Sequence, residues 1–229
     1  MRKNFLITGA SRGIGKATAL LLSQRERCSL TLLGRDSAAL RTTLREVTDL
    51  GSEAKLLICD LQHTDALERA VQRHASEAGA PDVIIHNAAV IHRLPFEQMT
   101  AELWEEQLKV NLLAPAVITR ALVGQMRKLE RGRVLFVGSI SSTLGTARST
   151  AYNASKWALV GFMKSLAEEF KNSGLMTAAI LPGSVDTEML HGSGFEPRMT
   201  ALDVAQTLAY YALDAPIAHN GGIIEMFGT

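Results

Sequence analysis

The chain has 229 residues, 47% of them hydrophobic and 21% charged, the mix of a soluble globular protein with one substantial core. Its 24 Lys and Arg stand against 23 Asp and Glu, so no whole-molecule field favours nucleic acid or a membrane surface. No apolar run approaches the ~20 residues that span a bilayer, and no signal-peptide pattern follows the Met-Arg-Lys-Asn start, so a cytoplasmic location is expected. Residues 5–8 predict a strand and 13–25 a helix, with Ala17, Leu20 and Leu21 on one side. A second strand is expected at 30–33, then a helix over 37–50 with Ser37 as its N-cap. A strand at 55–59, a helix at 64–77 and a strand at 83–86 follow. The run 100–129 predicts one long helix bent near Pro115, because proline lacks a backbone donor. The series closes with a strand at 133–137, a helix at 150–172, a strand at 177–181, a helix at 201–213 and a strand at 223–227.

Strands that are apolar throughout, separated by helices, predict a parallel sheet covered on both faces. Right-handed crossovers then give a doubly wound, Rossmann-type α/β fold of about seven strands. No repeat, low-complexity tract or linker breaks the chain, so one domain is expected over 1–229. The stretch 183–198 lacks clear periodicity and is expected to be a loop over the substrate. Cys28 and Cys59 form no C-x-x-C pair and are expected as free thiols. Six scattered histidines show no ligand spacing, so no metal is expected.

Thr8-Gly9-Ala10-Ser11-Arg12-Gly13-Ile14-Gly15 sits between the first predicted strand and helix. Glycines there let the chain turn sharply and let a pyrophosphate approach bare backbone. The helix N-terminus adds unpaired N–H groups and a partial positive charge. The reading is therefore a dinucleotide loop, with the spacing G-x-x-x-G-x-G. An NAD-selective fold commonly ends its second strand on a carboxylate that binds the ribose. Here Gly34 holds that position, with Arg35 next and Arg12 in the glycine loop. Two guanidiniums without a carboxylate suit a 2′-phosphate, so NADPH is expected over NADH. Asp36 can pair with Arg35 or cap the following helix.

Tyr152-Asn153-Ala154-Ser155-Lys156 is Y-x-x-x-K on a predicted helix, and residues four apart share a face. A phenol with its ordinary pKa of about 10 exchanges protons poorly at neutral pH. A Lys ammonium nearby favours phenolate, so the pair is expected to tune Tyr152 for acid–base work.

The string TGASRGIG resembles the cofactor loop of the short-chain dehydrogenase/reductase family, and the resemblance continues along the chain. It implies cofactor contacts from Gly9, Ser11, Arg12, Gly13, Ile14 and Gly15, and adenine contacts from Asp60 and Leu61 after the third strand. Asn87-Ala88-Ala89 resembles the family's N-N-A-G segment, with His86 in place of the first Asn and Ala89 in place of the Gly. Pro182-Gly183-Ser184-Val185-Asp186-Thr187 resembles its P-G-x-x-x-T, which implies nicotinamide contacts from Pro182, Gly183, Val185 and Thr187. Ser139, thirteen residues before Tyr152, takes the place of the family's carbonyl-binding serine, a better fit in spacing than Ser141 or Ser142. Asn111 matches the asparagine that completes a proton relay through a water beside the lysine. The resemblance thus implies Asn111, Ser139, Tyr152 and Lys156 as the catalytic set, with Tyr152 and Lys156 also on the nicotinamide ribose.

Within the family the chain looks most like 3-oxoacyl-acyl-carrier-protein reductases and small carbonyl reductases. This implies reduction of a small or acyl-carrier-bound ketone, with Met189, Leu190, Phe195 and Met199 able to line an apolar tunnel. The C-terminal GGIIEMFGT departs from the family's V-D-G-G ending. Two alternatives stand: an alcohol or sugar dehydrogenase working oxidatively, and a non-catalytic NADP(H)-binding regulator. Leu112, Leu113, Val117, Phe162, Leu166 and Phe170 exceed one apolar stripe on their helices, and that surplus predicts a homodimer or homotetramer.

Overall fold

The computed structural model describes residues 2–129 and 131–228; Glu130, and Met1 and Thr229 at the ends of the expected domain, lie outside them. Seven strands form one parallel sheet in the order β3-β2-β1-β4-β5-β6-β7. They are β1 (Asn4–Thr8), β2 (Ser29–Gly34), β3 (Glu53–Ile58), β4 (Val83–His86), β5 (Arg133–Val137), β6 (Met176–Pro182) and β7 (Gly222–Met226). The helices are α1 (Gly13–Arg25), α2 (Ser37–Asp49), α3 (Thr64–Ala78), α4 (Ala101–Leu108), α5 (Ala114–Met126), α6 (Thr150–Glu169) and α7 (Ala201–Leu213). All seven expected strands are present, and the fold is the doubly wound sheet that the pattern predicts.

Alternation along each strand divides the interior into two cores. Phe5 and Ile7 of β1, Leu135 and Val137 of β5, and Met176, Ala178 and Ile180 of β6 face one side, under α1, α2 and α7. Leu6, Val134, Phe136, Ala179 and Leu181 face the other, under α3, α5 and α6. The central strands β4, β5 and β6 are buried on both faces, which is why they read as apolar runs, while the edge strands β3 and β7 stay partly exposed. Strand order reverses between β1 and β4, which are paired in parallel through Phe5, Leu6 and Ile7. Loops leaving their C-terminal ends diverge there and open a crevice.

Three local expectations are revised. Asp36, not Ser37, caps α2: its carboxylate accepts from the Ala39 N–H at 3.0 Å. This also takes up the carboxylate that stood as a partner for Arg35. The long helix expected over 100–129 is two helices joined by a π-turn at Lys109–Leu113. Pro115 lies in the first turn of α5, where its missing N–H costs nothing, and the irregularity precedes it. The surplus apolar residues are partly taken up within the chain. Leu166 and Phe170 are buried in the second core, and Leu112 and Phe162 pack against it. Leu113 and Trp157 stay 45% and 53% exposed.

Among the described residues no helix is long and apolar enough to cross a membrane, and no cluster of metal-ligating side chains occurs. Cys28 and Cys59 are free thiols.

Candidate active site

The glycine loop leaves β1 at Thr8 and enters α1 at Gly13. Gly9 (φ +67°) and Gly13 (φ +53°) adopt left-handed backbone that a side chain disfavours. At Gly15 the limit is space: an added Cβ would lie 2.3 Å from the Gly9 carbonyl oxygen and 2.6 Å from Asn87 Nδ2. Arg12 occupies the N-cap with extended backbone and no side-chain cap bond, so the first N–H groups of α1 keep no side-chain partner. Ser11 flanks this turn half-buried, while Ile14 turns inward onto the first core.

Asn87 holds this loop in place. Its amide donates to the carbonyls of Thr8 at 3.0 Å and Gly9 at 3.1 Å. Thr8 Oγ1 accepts from the N–H groups of Asn87 and Ala88, both at 3.0 Å. β1 and β4 are thus stapled together where the strand order reverses. Sequence reasoning placed Thr8 at the head of the glycine-loop string but gave its hydroxyl no role, because the N–H groups it accepts from lie on the segment after β4. His86, at the end of β4, is buried, with Nε2 2.9 Å from Thr119 Oγ1 and its ring stacked on Phe136 at 5.0 Å. Burial holds its pKa down to about 3, so it is a neutral core side chain.

Arg12 and Arg35 do not converge on one partner. Arg12 is ion-paired with Glu188, and Arg35 Nη1 lies 3.7 Å from Asp60 Oδ2. Asp60 Oδ1 also accepts from the Gln62 N–H at 3.0 Å, and Leu61 is buried beneath. Pro182 ends β6, and Gly183 bonds to the Met226 carbonyl at 2.8 Å. Val185 is buried and bridged to Met199, while Thr187 comes within 3.3 Å of where a Gly13 side chain would sit. The start of 183–198 therefore lies against the glycine loop.

The remaining candidates gather at the C-terminal end of β5. Ser139 follows that strand by two residues, and its Oγ accepts from the Ser141 N–H at 3.1 Å. Tyr152 and Lys156 stand one turn apart on α6, only 6% and 2% exposed. Lys156 Nζ donates to the Val137 carbonyl at 2.8 Å and lies 5.6 Å from the centre of the Tyr152 ring. Burial draws the Lys156 pKa down to about 8. The Tyr152 pKa moves opposite to the expected direction. Burial raises it, and the Ser139 hydroxyl and the Arg93 charge only partly offset that.

Asn111 sits in the π-turn, 1% exposed. It accepts from the Val90 N–H at 2.8 Å, and its amide donates to the Val90 carbonyl at 2.9 Å and to Ser155 Oγ at 3.0 Å. It therefore clamps the segment after β4 to the face of α6 that carries Tyr152 and Lys156. The π-turn is the irregularity that aims this side chain inward.

A doubly wound parallel sheet with an uncapped glycine loop at its strand reversal, and a Ser, Tyr and Lys at the same edge, defines a Rossmann-type protein with an enclosed polar site. The chain matches the short chain dehydrogenase family model over residues 3–196; it belongs to that family and is one of its oxidoreductases. It is 27% identical over 226 residues to a 3-oxoacyl-acyl-carrier-protein reductase of Synechocystis sp., spanning 95% of this chain and 92% of the relative. It is 30% identical over 198 residues to the 3-oxoacyl-acyl-carrier-protein reductase FabG of Vibrio cholerae, spanning 86% and 79%. A metagenomic short-chain oxidoreductase solved in complex with NADP superposes with a TM-score of 0.86 at 32% identity, covering 99% of this chain and 97% of that one.

Proposed function

We propose that this chain reduces a ketone to an alcohol with NADPH, the ketone being a 3-oxoacyl thioester or a similar small carbonyl compound. The observation that carries the reading is the buried Tyr152 phenol on α6, with Lys156 Nζ 5.6 Å from its ring centre and Ser139 just past the end of the adjoining β5. A phenol is protonated at neutral pH and can give that proton to a carbonyl oxygen; the ammonium one turn away favours the phenolate left behind, which offsets the penalty that burial places on it.

The glycine loop fits a dinucleotide. Gly9, Gly13 and Gly15 are bare where a Cβ would be strained or would fill the turn, and the α1 N-terminus keeps its N–H groups free for a pyrophosphate. Gly9, Ser11, Arg12, Gly13, Ile14 and Gly15 would hold the phosphates, and Asp60, Leu61, Asn87 and Ala88 the adenosine side. Pro182, Gly183, Val185 and Thr187 would hold the other end, with Tyr152 and Lys156 on its ribose. The bound nicotinamide supplies the hydride. Tyr152 gives its phenolic proton to the carbonyl oxygen, and the Ser139 hydroxyl donates to that oxygen and polarises it. Lys156 stabilises the phenolate that results, and Asn111 anchors the helix face from which both act. Arg12 and Arg35 would turn from Glu188 and Asp60 to a 2′-phosphate, giving NADPH the advantage over NADH. The structure solved with NADP and the two acyl-carrier-protein reductases support this reading.

The reading includes a single cytoplasmic domain, the stretch 183–198 as substrate loop, and a homodimer or homotetramer. Exposed Leu113 and Trp157, at the start of α5 and on α6, are the apolar surface that another subunit would cover. NADPH oxidation with a panel of ketones and 3-oxoacyl thioesters tests the reading. Turnover of a thioester or small ketone with NADPH is expected. A protein that binds NADPH and turns over none is a scaffold, and one that only reduces NADP+ with alcohols or sugars is the oxidative alternative.

A further inference from the structure

We propose that Arg93 and Arg148 form an anion subsite that selects ketones carrying a carboxylate or phosphate beyond the reacting carbonyl. This rests on the reductase reading above and adds the class of substrate.

Arg93 follows β4 and Arg148 precedes α6, yet both line one cavity with Thr146, Ser149, Ser193 and Phe195. The two segments are joined directly, since the Leu94 N–H donates to the Arg148 carbonyl at 2.9 Å. The cavity adjoins the reacting centre. Ser149 occupies the N-cap position of the helix that carries Tyr152, and Thr146 Oγ1 lies 3.4 Å from the Oγ of Ser141, whose backbone N–H donates to Ser139 Oγ. Arg93 is close enough for its charge to lower the Tyr152 pKa against burial.

Among the described residues neither guanidinium has a carboxylate partner, although their neighbours do: His92 Nε2 lies 2.9 Å from Glu106, and Glu188 is held by Arg12. Two cationic residues on the lining of one cavity that also carries hydroxyls favour an anion between them, which would relieve their mutual repulsion. A guanidinium pair also matches the paired oxygens of a carboxylate or phosphate. The backbone gives an independent sign. Arg148, at φ +62°, is the only non-glycine residue with positive φ among those described. A long side chain held in a conformation that glycine takes freely is a strained choice, and such strain concentrates at ligand sites.

Matched pairs of substrates test the subsite: acetoacetate against methyl acetoacetate, and 3-oxobutanoyl-phosphopantetheine against 3-oxobutanoyl-pantetheine, each assayed with NADPH. In at least one pair the anionic member should exceed its neutral analogue about tenfold in kcat/KM, and the pair that responds tells carboxylate from phosphate. Arg93→Gln and Arg148→Gly should each reduce that ratio severalfold; glycine at 148 also relieves the backbone, so misfolding is not the cause. Equal rates within both pairs, or ratios unchanged in the variants, would overturn the subsite and leave the reductase standing. If no carbonyl is reduced, calorimetric titration of acetoacetate and phosphopantetheine into the NADP+-loaded protein decides. Binding lost in the double variant supports the subsite while the reductase reading fails, and no binding overturns both.

Discussion

Asn111 Nδ2 donates to Ser155 Oγ at 3.0 Å, joining the π-turn between α4 and α5 to the helix that carries Tyr152 and Lys156. Ser155 Oγ in turn donates to the Tyr152 carbonyl at 2.7 Å. A single amide thereby holds both the segment after β4 and the first turns of α6.

Replacing Asn111 by Ala leaves the Val90 N–H and carbonyl without their side-chain partner in a part-buried site. Each such loss costs ~1–3 kcal/mol. Denaturant unfolding should show a fall in stability of about 2–4 kcal/mol. A change under 0.5 kcal/mol would mean that this clamp is not structural.

Tyr152→Phe keeps the ring in its buried place and removes only the hydroxyl. General acid catalysis contributes about 10²–10⁴-fold, so turnover should fall by that much while NADPH affinity stays near wild type. Retention of a tenth of the wild-type rate would exclude Tyr152 as the proton donor.

The Lys156 pKa lies at about 8 in the fold and about 10.5 when exposed. The unfolded chain then holds more protons than the folded one between those values, so this group makes stability rise with pH there. Across pH 8 to 9, wild type should gain about 1 kcal/mol relative to Lys156→Met. Above pH 9 the raised Cys28, Cys59 and Tyr152 groups act in the opposite sense, so the lower window is the informative one. Parallel stability curves for the two proteins would show that Lys156 is not neutralised by burial.

His86 gives the acid counterpart. Its folded pKa of about 3 lies below the unfolded 6.5, so its contribution is complete above pH 6.5 and is lost as pH falls toward 3. His86→Asn removes the titrating ring and should flatten the acid limb by about 1 kcal/mol per pH unit between pH 6 and 4. The same slope in both proteins would place the acid sensitivity elsewhere.

Cofactor choice is read at Arg35. Wild type should prefer NADPH, and Arg35→Ala should reduce the NADPH-to-NADH ratio of kcat/KM by about tenfold or more, the loss of a charge-assisted contact of ~1.5–3 kcal/mol. Equal efficiency with both cofactors in the unmutated enzyme would contradict this.

Much of the architecture was legible in the sequence because it depends on local pattern. Strands buried on both faces must be apolar throughout, and runs such as 83–86 and 133–137 showed it. The glycine loop and the four-residue step from Tyr152 to Lys156 were legible for the same reason: turn geometry and helical period are set by neighbours in the chain. What required the tertiary structure was every property that depends on groups distant in sequence. The Lys156 ammonium is directed by the Val137 carbonyl, nineteen residues away, and its burial sets its pKa against the tuning that proximity alone suggested. Thr8 became a staple only when β4 was laid beside β1, and Arg12 met Glu188 only when the loop after β6 folded back. Arg93 and Arg148 share no motif and no helix face. Their convergence is a product of where β4 and α6 lie, because charge and burial act through space while periodicity acts along the chain.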